Sequence, residues 1–371
     1  MAQAAEPPAQ AGGPADVWGR RLQRAWTGRR GLARWLWPLS LILRGLVGTR
    51  RLLYRHRLLR SQRVRVPVVV IGNLIVGGAG KTPTVMAVCS ILQAQGHRPA
   101  IVSRGYGRTS TAALLVTKAT PASLSGDEPL LLHVRTGLPV CVGRDRVAAA
   151  RTLLDRHPDT TVIISDDGLQ HLALARDLQL VVFDERGIGN GWLLPAGPLR
   201  EPLPAGNRAL NGVPTWVVYN ACKATTDMPG SLASSRLAGA VELAAWWRGE
   251  TGAGDALGAL RGRRILAMAG VARPQRFFSM LRSAGIDITE HALPDHYDFT
   301  TLPWPSDTSE LLMTEKDAIK IDPRRLAGCT AWVVPLDLQL DAALADALRQ
   351  LLPVPAPRMS TTDDRNGHSI A

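Results

Sequence analysis

The stretch IGNLIVGGAGKTPTVMAV, Ile71–Val88, decides the fold of this chain. It completes a β-branched apolar run, residues 66–71, that is typical of a strand buried on both faces. It then leads through a glycine-rich turn into an apolar run, residues 85–92, that suits a helix. A strand, a glycine-rich turn and a helix in this order favour a phosphate-binding loop, in which backbone N–H groups and the helix N-terminus surround a phosphate.

One position departs from the commonest form of such a loop. That form has a glycine six residues before the lysine, where this chain has Ile75. The preceding strand and the pair of adjacent glycines still favour nucleotide binding over a structural turn. Lys81 is expected to reach the outer phosphates as a catalytic cation, and Thr82 to hold Mg²⁺. The predicted cofactors are therefore ATP and Mg²⁺, and the predicted nucleotide-binding residues are Ile75, Val76, Gly77, Gly78, Ala79, Gly80, Lys81 and Thr82.

A second buried strand, TVIISDD at residues 161–167, ends in two carboxylates. Acidic side chains at the carboxyl end of a strand beside a phosphate loop commonly hold the metal, so Asp166 and Asp167 are predicted metal ligands. The alternative is an ordinary strand-to-helix cap. Further strand-like runs alternate with segments of helix length, which predicts a parallel α/β sheet.

The basic charge of the chain is confined to one segment. The formal net charge is +13, but residues 17–65 contain fourteen arginines, no lysine and no acidic residue, so all other residues together carry −1. Clustered arginine is typical of nucleic-acid binding, yet no recognised nucleic-acid motif accompanies it here. Nucleic acid is therefore not a predicted partner.

The same segment has an apolar stripe at helical spacing, which includes Trp35, Leu39, Ile42 and Leu46. Its longest uncharged run is only nine residues, whereas a membrane-spanning helix needs about twenty apolar residues. Arginine-rich flanks and four tryptophans within the first 37 residues predict a helix lying in the plane of an anionic membrane surface. The alternative is an amphipathic helix packed on the protein itself. Pro38 is expected to divide the segment into two helical pieces.

These patterns predict an α/β fold with a P-loop NTPase-like parallel-sheet domain, a second, smaller α/β domain and an N-terminal amphipathic membrane-associating helix. A Pro- and Gly-rich stretch, residues 193–214, indicates where the first domain ends. The predicted segments are a disordered N-terminus (1–16), a basic arm (17–65), the P-loop domain (66–205), a linker (206–211), the second domain (212–355) and a flexible tail (356–371).

Several stretches together resemble one family, the tetraacyldisaccharide 4'-kinases. They occur in family order between residue 66 and about residue 335, and the family's loop also lacks the early glycine, so that Ile75 fits it. The basic arm corresponds to the membrane-associating N-terminus of the family. The matching stretches are VPVVVIGNLIVGGAGKTP, VSRGYGR, SGDEPLLL, VGRDR, SDDGLQHLALARDLQLVVFDERGIGNGWLLPAGPLREP, MAGVARPQRFF, PDHYDF and TEKDAIKI.

The resemblance implies transfer of the γ-phosphate of ATP to the 4'-hydroxyl of an acylated glucosamine disaccharide 1-phosphate, which gives a lipid A precursor. It places the reaction at the cytoplasmic face of the bacterial inner membrane, in a cleft between two α/β domains. The implied partners are the acylated disaccharide lipid and an anionic membrane surface, and no obligate protein partner is inferred.

The resemblance also implies roles for individual residues. Asp127 would accept the proton of the sugar hydroxyl, tuned by His296, although Asp127 has the alternative of a helix N-cap and His296 that of a surface loop residue. Glu128 joins Thr82 and the paired aspartates as a candidate metal ligand. The alternative for Arg200 is a structural ion pair with Glu201. The candidate substrate contacts are Arg104, Tyr106, Gln170, His171, Arg200 and Glu201.

A membrane-associated regulatory P-loop ATPase is the alternative function. Such proteins carry a further lysine five residues before the loop lysine, and this chain has Val76 there. A lipid-binding scaffold would explain the arm but would leave the phosphate loop and the paired aspartates without a role.

Overall fold

Two sheets of mainly parallel strands organise the computed structural model, which describes residues 14–203, 212–252, 254–326 and 328–353. The strands are β1 (Val68–Gly72), β2 (Pro99–Ser103), β3 (Leu114–Val116), β4 (Val140–Val142), β5 (Val162–Asp166), β6 (Leu178–Asp184), β7 (Thr215–Asn220), β8 (Gly230–Leu237), β9 (Val241–Glu242), β10 (Arg264–Ala269), β11 (Asp287–Ala292), β12 (Glu310–Thr314), β13 (Thr330–Val334) and β14 (Leu336–Leu340). The helices are α1 (Pro14–Ala25), α2 (Leu32–Arg55), α3 (Lys81–Ala94), α4 (Ala122–Ser125), α5 (Asp127–Thr136), α6 (Arg146–Arg156), α7 (Leu243–Arg248), α8 (Gly254–Gly258), α9 (Pro274–Ser283), α10 (Glu315–Ala318) and α11 (Ala342–Leu351), with a 3₁₀ turn at Pro323–Arg325.

The large sheet has the order β14-β8-β7-β6-β1-β5-β2-β4-β3. Strand β1 lies between β5 and β6 and is parallel to both. Its residues alternate between two cores, since Val69 and Ile71 pack on one face and Val68 and Val70 on the other. The register pairs Ile71 with Asp166, so the phosphate loop and the paired aspartates leave the sheet at the same edge. The predicted α/β fold with a phosphate loop on a parallel sheet is confirmed.

The small sheet has the order β11-β10-β12-β13-β9 and is parallel except for the β13–β9 pair. Helix α9 covers one of its faces with Phe277, Phe278 and Leu281, which are buried in the same core as Ile265 and Ala267 of β10. We refer to residues 241–334, which carry this sheet, as the small lobe.

The division of the strands between the two sheets does not follow the predicted domain boundary. Strands β7, β8 and β14 were expected within the second domain, residues 212–355, but they pair in the large sheet. The chain enters the small lobe after β8 and returns as β14, which is antiparallel to β8 with Leu336 opposite Leu237. An apolar strand has the same pattern in either sheet, so its sequence does not reveal which sheet it joins. The predicted linker (206–211) and tail (356–371) lie outside the described residues.

The basic arm forms two helices, but Pro38 does not separate them. Helix α2 runs through Pro38, and the break lies at residues 26–31, where Gly31 has φ +56°. The carbonyl that Pro38 leaves without a donor belongs to Arg34, which is exposed, so water can satisfy it. Helix α1 begins at Pro14, within the segment 1–16 that was predicted to be disordered; residues 1–13 are outside the described residues.

Helix α2 docks on the loop of residues 188–203 through both polar and apolar contacts, and the ring centroids of Trp37 and Trp192 lie 6.3 Å apart. The buried Ser40 hydroxyl donates to the carbonyl of Leu193 at 2.7 Å and accepts from the amide of Ala196 at 3.1 Å. Arg51 forms an ion pair with Glu201.

The apolar stripe of α2 points away from this docking face. The exposed fractions are 82% for Trp35, 52% for Leu39, 62% for Ile42 and 65% for Leu46. The helix therefore packs on the protein, as the alternative interpretation proposed, and still leaves these four side chains of the stripe exposed, whereas Leu36, Leu43 and Val47 are partly buried. None of the helices within the described residues is both long enough and apolar enough to cross a membrane.

Candidate active site

The phosphate loop, residues 75–82, has a backbone that strongly favours glycine at two positions. Gly77 has φ +91° and Gly80 has φ +88°, in the left-handed region that other residues rarely enter. A Cβ at Gly80 would also lie 2.1 Å from Nδ2 of Asn220, so the side chain of Asn220 fills the space against the loop.

The first two residues of the predicted nucleotide-binding set support the loop from behind. Ile75 is fully buried and forms an isolated antiparallel β-bridge with Leu199. Val76 donates its N–H to the carbonyl of Pro198 at 2.9 Å. The backbone donors that remain for a phosphate therefore begin at Gly77.

Lys81 and Thr82 lie where the sequence predicts them, at the start of α3. Lys81 Nζ is 3.4 Å from Oδ1 of Asn73 and 3.8 Å from Oδ1 of Asp167. Thr82 is buried. The lysine thus faces the carboxyl end of β5, where the paired aspartates are.

The paired aspartates provide oxygen atoms that could bind a metal ion at the carboxyl end of β5. Asp166 is buried, and its Oδ2 accepts from Ser103 Oγ at 3.0 Å, whereas its Oδ1 has no hydrogen-bond partner among the described residues. Burial, reinforced by the negative charges of Glu128 and Asp167, raises the pKa of Asp166 to about 7. A bound cation would remove this electrostatic cost, and hard oxygen ligands suit Mg²⁺.

The described residues contain no group of three or more His, Cys, Asp or Glu side chains arranged to hold a metal by themselves. Mg²⁺ is usually held by one or two carboxylates together with substrate phosphates and water. Thr82, Asp166 and Asp167 therefore fit the predicted metal.

Asp127, the predicted base, is the first residue of α5. The helix N-cap is Gly126, with φ +87°, and no side chain caps it, so the N-cap alternative for Asp127 is wrong. Oδ2 of Asp127 lies 3.6 Å from Nδ1 of His296 and 4.0 Å from Nζ of Lys320. His296 belongs to the small lobe, so the structure brings the two predicted residues together from different sheets.

His296 has a positive φ of +61°, in the loop that follows β11. Its polar contact with Asp127 raises the pKa of His296, although partial burial acts in the opposite direction. The exposed ring of Tyr106 lies 6.4 Å from the His296 ring, measured between centroids. Arg104, two residues earlier in the same loop, is also exposed.

Glu128 forms an ion pair with Lys316 of the small lobe. Burial alone would raise the pKa of Glu128, but the charge and hydrogen bond of Lys316 outweigh burial and hold it below the usual value. Lys320, from the same stretch, donates to the carbonyl of Tyr297 at 2.8 Å and lies over the ring of Phe299 at 5.2 Å. Sequence reasoning did not single out these two lysines.

The candidate substrate contacts divide into two groups. Arg200 turns toward the site, since its Nη1 is 3.3 Å from Oδ1 of Asp167, and it does not pair with Glu201 as the alternative proposed. Glu201 is buried against Arg51 and so helps to hold α2.

Gln170 and His171 are partly buried beside this edge. Nε2 of Gln170 is buried without a hydrogen-bond partner among the described residues. Burial, reinforced by the positive charge of Arg146, lowers the pKa of His171 to about 4, so this ring is neutral at pH 7.

Two further residues that contact the phosphate loop were missed from the sequence. Arg186 donates to the carbonyls of Val76 and Gly78, and Asn220 lies against Gly80. Both follow the carboxyl ends of strands on the far side of β1 from β5, at β6 and β7. Polar residues at those strand ends were the signal that could have found them.

The chain is similar to known proteins over most of its length. The profile of the family described as Tetraacyldisaccharide-1-P 4'-kinase matches residues 32–353. A protein of Methylibium petroleiphilum named tetraacyldisaccharide 4'-kinase is 52% identical over 335 residues, which are 89% of this chain and 93% of that protein. A protein of the same name from Leptothrix cholodnii is 48% identical over 349 residues, which are 93% of this chain and 99% of that protein.

A solved structure has a similar fold. It is the "apo" form of LpxK from Aquifex aeolicus in complex with ATP, which matches with a TM-score of 0.73 and 27% identity over 87% of this chain and 100% of that chain. The family predicted from the sequence motifs is confirmed by the profile and by the relatives. The chain belongs to the tetraacyldisaccharide-1-phosphate 4'-kinase family.

Proposed function

We propose that the protein transfers the γ-phosphate of ATP to the 4'-hydroxyl of a tetraacylated glucosamine disaccharide 1-phosphate, which gives the 4'-phosphorylated lipid A precursor. Family membership over residues 32–353 supports the substrate class. The observation that carries the proposal is the contact between Asp127 and His296 across the two sheets, at the edge where the phosphate loop and the paired aspartates also lie.

Asp127 acts as the base in this proposal. A kinase transition state requires mainly positioning and neutralisation of charge, so a carboxylate within hydrogen-bond reach of the hydroxyl is sufficient. His296 keeps the carboxylate oriented, and its protonated form stabilises the negative charge of Asp127. Lys81 and Arg200, which both face Asp167, neutralise the phosphate oxygens as negative charge shifts toward the leaving group.

Thr82, Asp166 and Asp167 are the residues that would hold Mg²⁺. When bound, the ion supplies charge neutralisation on the outer phosphates of ATP. Its presence also favours the ionised form of Asp166, whose pKa burial raises to about 7. Glu128 is the further candidate ligand, and it forms an ion pair with Lys316.

The exposed stripe of α2 is the proposed contact with the membrane that contains the lipid substrate. Apolar side chains on one face, with arginines beside them, suit the cytoplasmic face of the inner membrane, where anionic headgroups meet acyl chains. The proposed location is therefore peripheral, with no nucleic acid and no obligate protein partner involved.

The kinase activity is tested with purified protein, Mg-ATP and the tetraacyl disaccharide 1-phosphate, by following the phosphorylated lipid by mass spectrometry. We expect a product that carries one additional phosphate at the 4' position and that is formed only when ATP is present. A regulatory ATPase would instead hydrolyse ATP at a rate that does not depend on the disaccharide, and it would leave the disaccharide unphosphorylated. That result would overturn the proposal.

The membrane contact is tested by liposome sedimentation with anionic lipid. Ile42→Ser should weaken binding by about tenfold, because a large exposed side chain of the stripe would no longer enter the acyl region. Leu351→Ser is the matched control, since Leu351 is also exposed but lies on α11. Equal binding by both variants would exclude the stripe as the contact.

A further inference from the structure

Five successive carbonyl groups of the phosphate loop, residues 76–80, accept hydrogen bonds from side chains of the protein itself. In a trans peptide the C=O and the following N–H point in opposite directions, so a carbonyl held on one side turns the next N–H to the other side. The bonds are Arg186 Nη1 to Val76 O (3.1 Å), Asn73 Nδ2 to Gly77 O (2.8 Å), Arg186 Nη2 to Gly78 O (3.0 Å), Asn220 Nδ2 to Ala79 O (3.4 Å) and Thr84 Oγ1 to Gly80 O (2.8 Å).

Arg186 is itself held by a buried carboxylate. Asp184 is completely buried, and its oxygens accept from the Arg186 backbone amide at 3.0 Å and from Arg186 Nε at 3.0 and 3.1 Å. Nη2 also lies 2.9 Å from Oδ2 of Asp184, so the guanidinium connects this carboxylate to the two loop carbonyls.

The small lobe contacts both of these supports. Arg273 Nη2 donates to Oδ2 of Asp184 at 2.7 Å. Arg276 Nη2 donates to Oδ1 of Asn220 at 2.9 Å and to Oγ of Ser235 at 3.0 Å. Arg273 and Arg276 stand three residues apart at the start of α9, so they lie on the same side of the helix.

We propose that Arg186 and Asn220 are positioning residues that set the backbone of the phosphate loop, and that Arg273 and Arg276 couple this backbone to the small lobe. The proposal rests on the proposed function, in which ATP occupies the loop. His296 also belongs to the small lobe, so binding of ATP and the contact of His296 with Asp127 become thermodynamically linked. The two substrates are then brought into position together.

Arg276 also lines an open cavity of about 950 Å³ between α9 and β8, from which it could contact the nucleotide directly. A double-mutant cycle separates these two roles. If Arg276 acts through Asn220, its removal has little further effect once Asn220 has been replaced. If it contacts the nucleotide directly, the two losses multiply.

The affinity for Mg-ATP is measured by calorimetry on the full-length protein. Arg276→Ala and Asn220→Ala should each weaken binding by about tenfold, the expected loss for one hydrogen bond to a charged or buried group. The double variant should bind within about twofold of Asn220→Ala alone. Arg276→Lys, which retains one donor and the charge, should recover most of the affinity. Arg282→Ala is the matched control, because Arg282 lies on the same helix and pairs with Glu290.

A loss of about a hundredfold in the double variant would overturn the coupling role and identify Arg276 as a direct contact. Equal affinity of Arg276→Ala and wild type would also overturn it. Urea unfolding of each variant shows whether the fold is intact.

Hydrogen exchange of residues 293–299, the loop that contains His296, tests the coupling itself. Saturating Mg-ATP should protect this loop in the wild-type protein but not in the Arg273→Ala/Arg276→Ala variant. Equal protection in both proteins would overturn the coupling while leaving the proposed kinase function intact. Failure of the wild-type protein to bind ATP would overturn both.

Discussion

The candidate site has a nucleotide half, which is the phosphate loop with its supporting side chains, and an acceptor half, which is Asp127 with His296 and Lys320. The two halves are built differently. The carbonyls of the phosphate loop are held at 2.8 to 3.4 Å by side chains, most of which belong to the large sheet and its connections. In the acceptor half, Asp127 faces His296 at 3.6 Å and Lys320 at 4.0 Å, and both partners come from the small lobe.

Only the nucleotide half of the site is formed mainly by one sheet and its connections. A loop with satisfied carbonyls and two left-handed glycines is organised before ATP arrives, so little ordering is needed on binding. Contacts longer than a hydrogen bond fix a side chain less firmly, so the geometry of the base depends on where the small lobe lies. The following variants test this contrast.

The largest expected effect is in the acceptor half. Asp127→Asn removes the proton acceptor with little change of shape, so we expect kcat to fall by about 10²- to 10⁴-fold. The Kd for ATP should change by no more than about fivefold, because Asp127 acts on the nucleotide half only through the coupling between the lobes. Single-turnover phosphorylation and calorimetry measure the two quantities, with Asp346→Asn on α11 as the control. Full activity of Asp127→Asn would exclude it as the base.

A change in the nucleotide half should mainly weaken ATP binding, whereas the change at Asp127 mainly lowers kcat. Gly80→Ala forces a residue with a Cβ to φ +88°, with that Cβ 2.1 Å from Asn220 Nδ2. We expect ATP affinity to fall by about 10- to 100-fold, since backbone strain of this kind costs about 1–3 kcal/mol. Gly78→Ala, where a Cβ meets nothing within 4 Å, should lose less. If the two variants bind ATP equally, the loop is not organised in advance.

The ion pair between Lys316 and Glu128, which joins the two lobes, should contribute to the free energy of unfolding. Lys316→Met leaves Glu128 without its cation, and the side chains of both residues are only about one-third exposed, at 35% and 31%. We expect the free energy of unfolding to fall by about 1–3 kcal/mol in urea titrations. Arg248→Met, which removes a pair with Glu250 whose side chains are 64% and 56% exposed, should cost less than about 1 kcal/mol. Equal losses would mean that the pair between lobes adds nothing beyond a surface ion pair.

The smallest effect should be a change in pH dependence. Because contact with Asp127 raises the pKa of His296 above its ordinary value of 6.5, the stabilisation is fully present below pH 6.5 and is lost as pH rises through the raised pKa. His296→Gln should remove this decline, whereas His291→Gln, in β11 of the same sheet, should retain it. Urea titrations at several pH values between about 5.5 and 9 measure the difference, and an unchanged profile in His296→Gln would contradict the ion pair.

The placement of the phosphate loop after β1 and at the start of α3 could be predicted from the sequence because its determinants are close together in the chain. A buried strand, Gly77, Gly80 and the Lys81–Thr82 pair act within fifteen residues of one another, and Asp166 lies in the neighbouring strand. Local patterns of this kind determine the geometry before any long-range contact is known.

The supports of the site could not be predicted in the same way. Lys316 and Lys320 stand in a quoted motif, but their partners on α5 lie almost 190 residues earlier. Arg186 and Asn220 resemble ordinary polar residues at strand ends until the order of the strands places them beside the phosphate loop. Propensity likewise could not show that α2 would continue through Pro38, because the docking of Ser40 and Arg51 stabilises the helix from outside.

The pairing of β8 with β14 has a consequence for the architecture of the chain. Leu237 lies opposite Leu336, so the whole small lobe occupies the position of a turn between two antiparallel strands. Joining these two residues through a two-residue type I′ turn would convert the edge of the large sheet into a simple hairpin. In this sense the small lobe is an insertion within a hairpin. Its two attachment points lie side by side, so one pair of neighbouring strands carries both chain connections between the lobe and the large sheet.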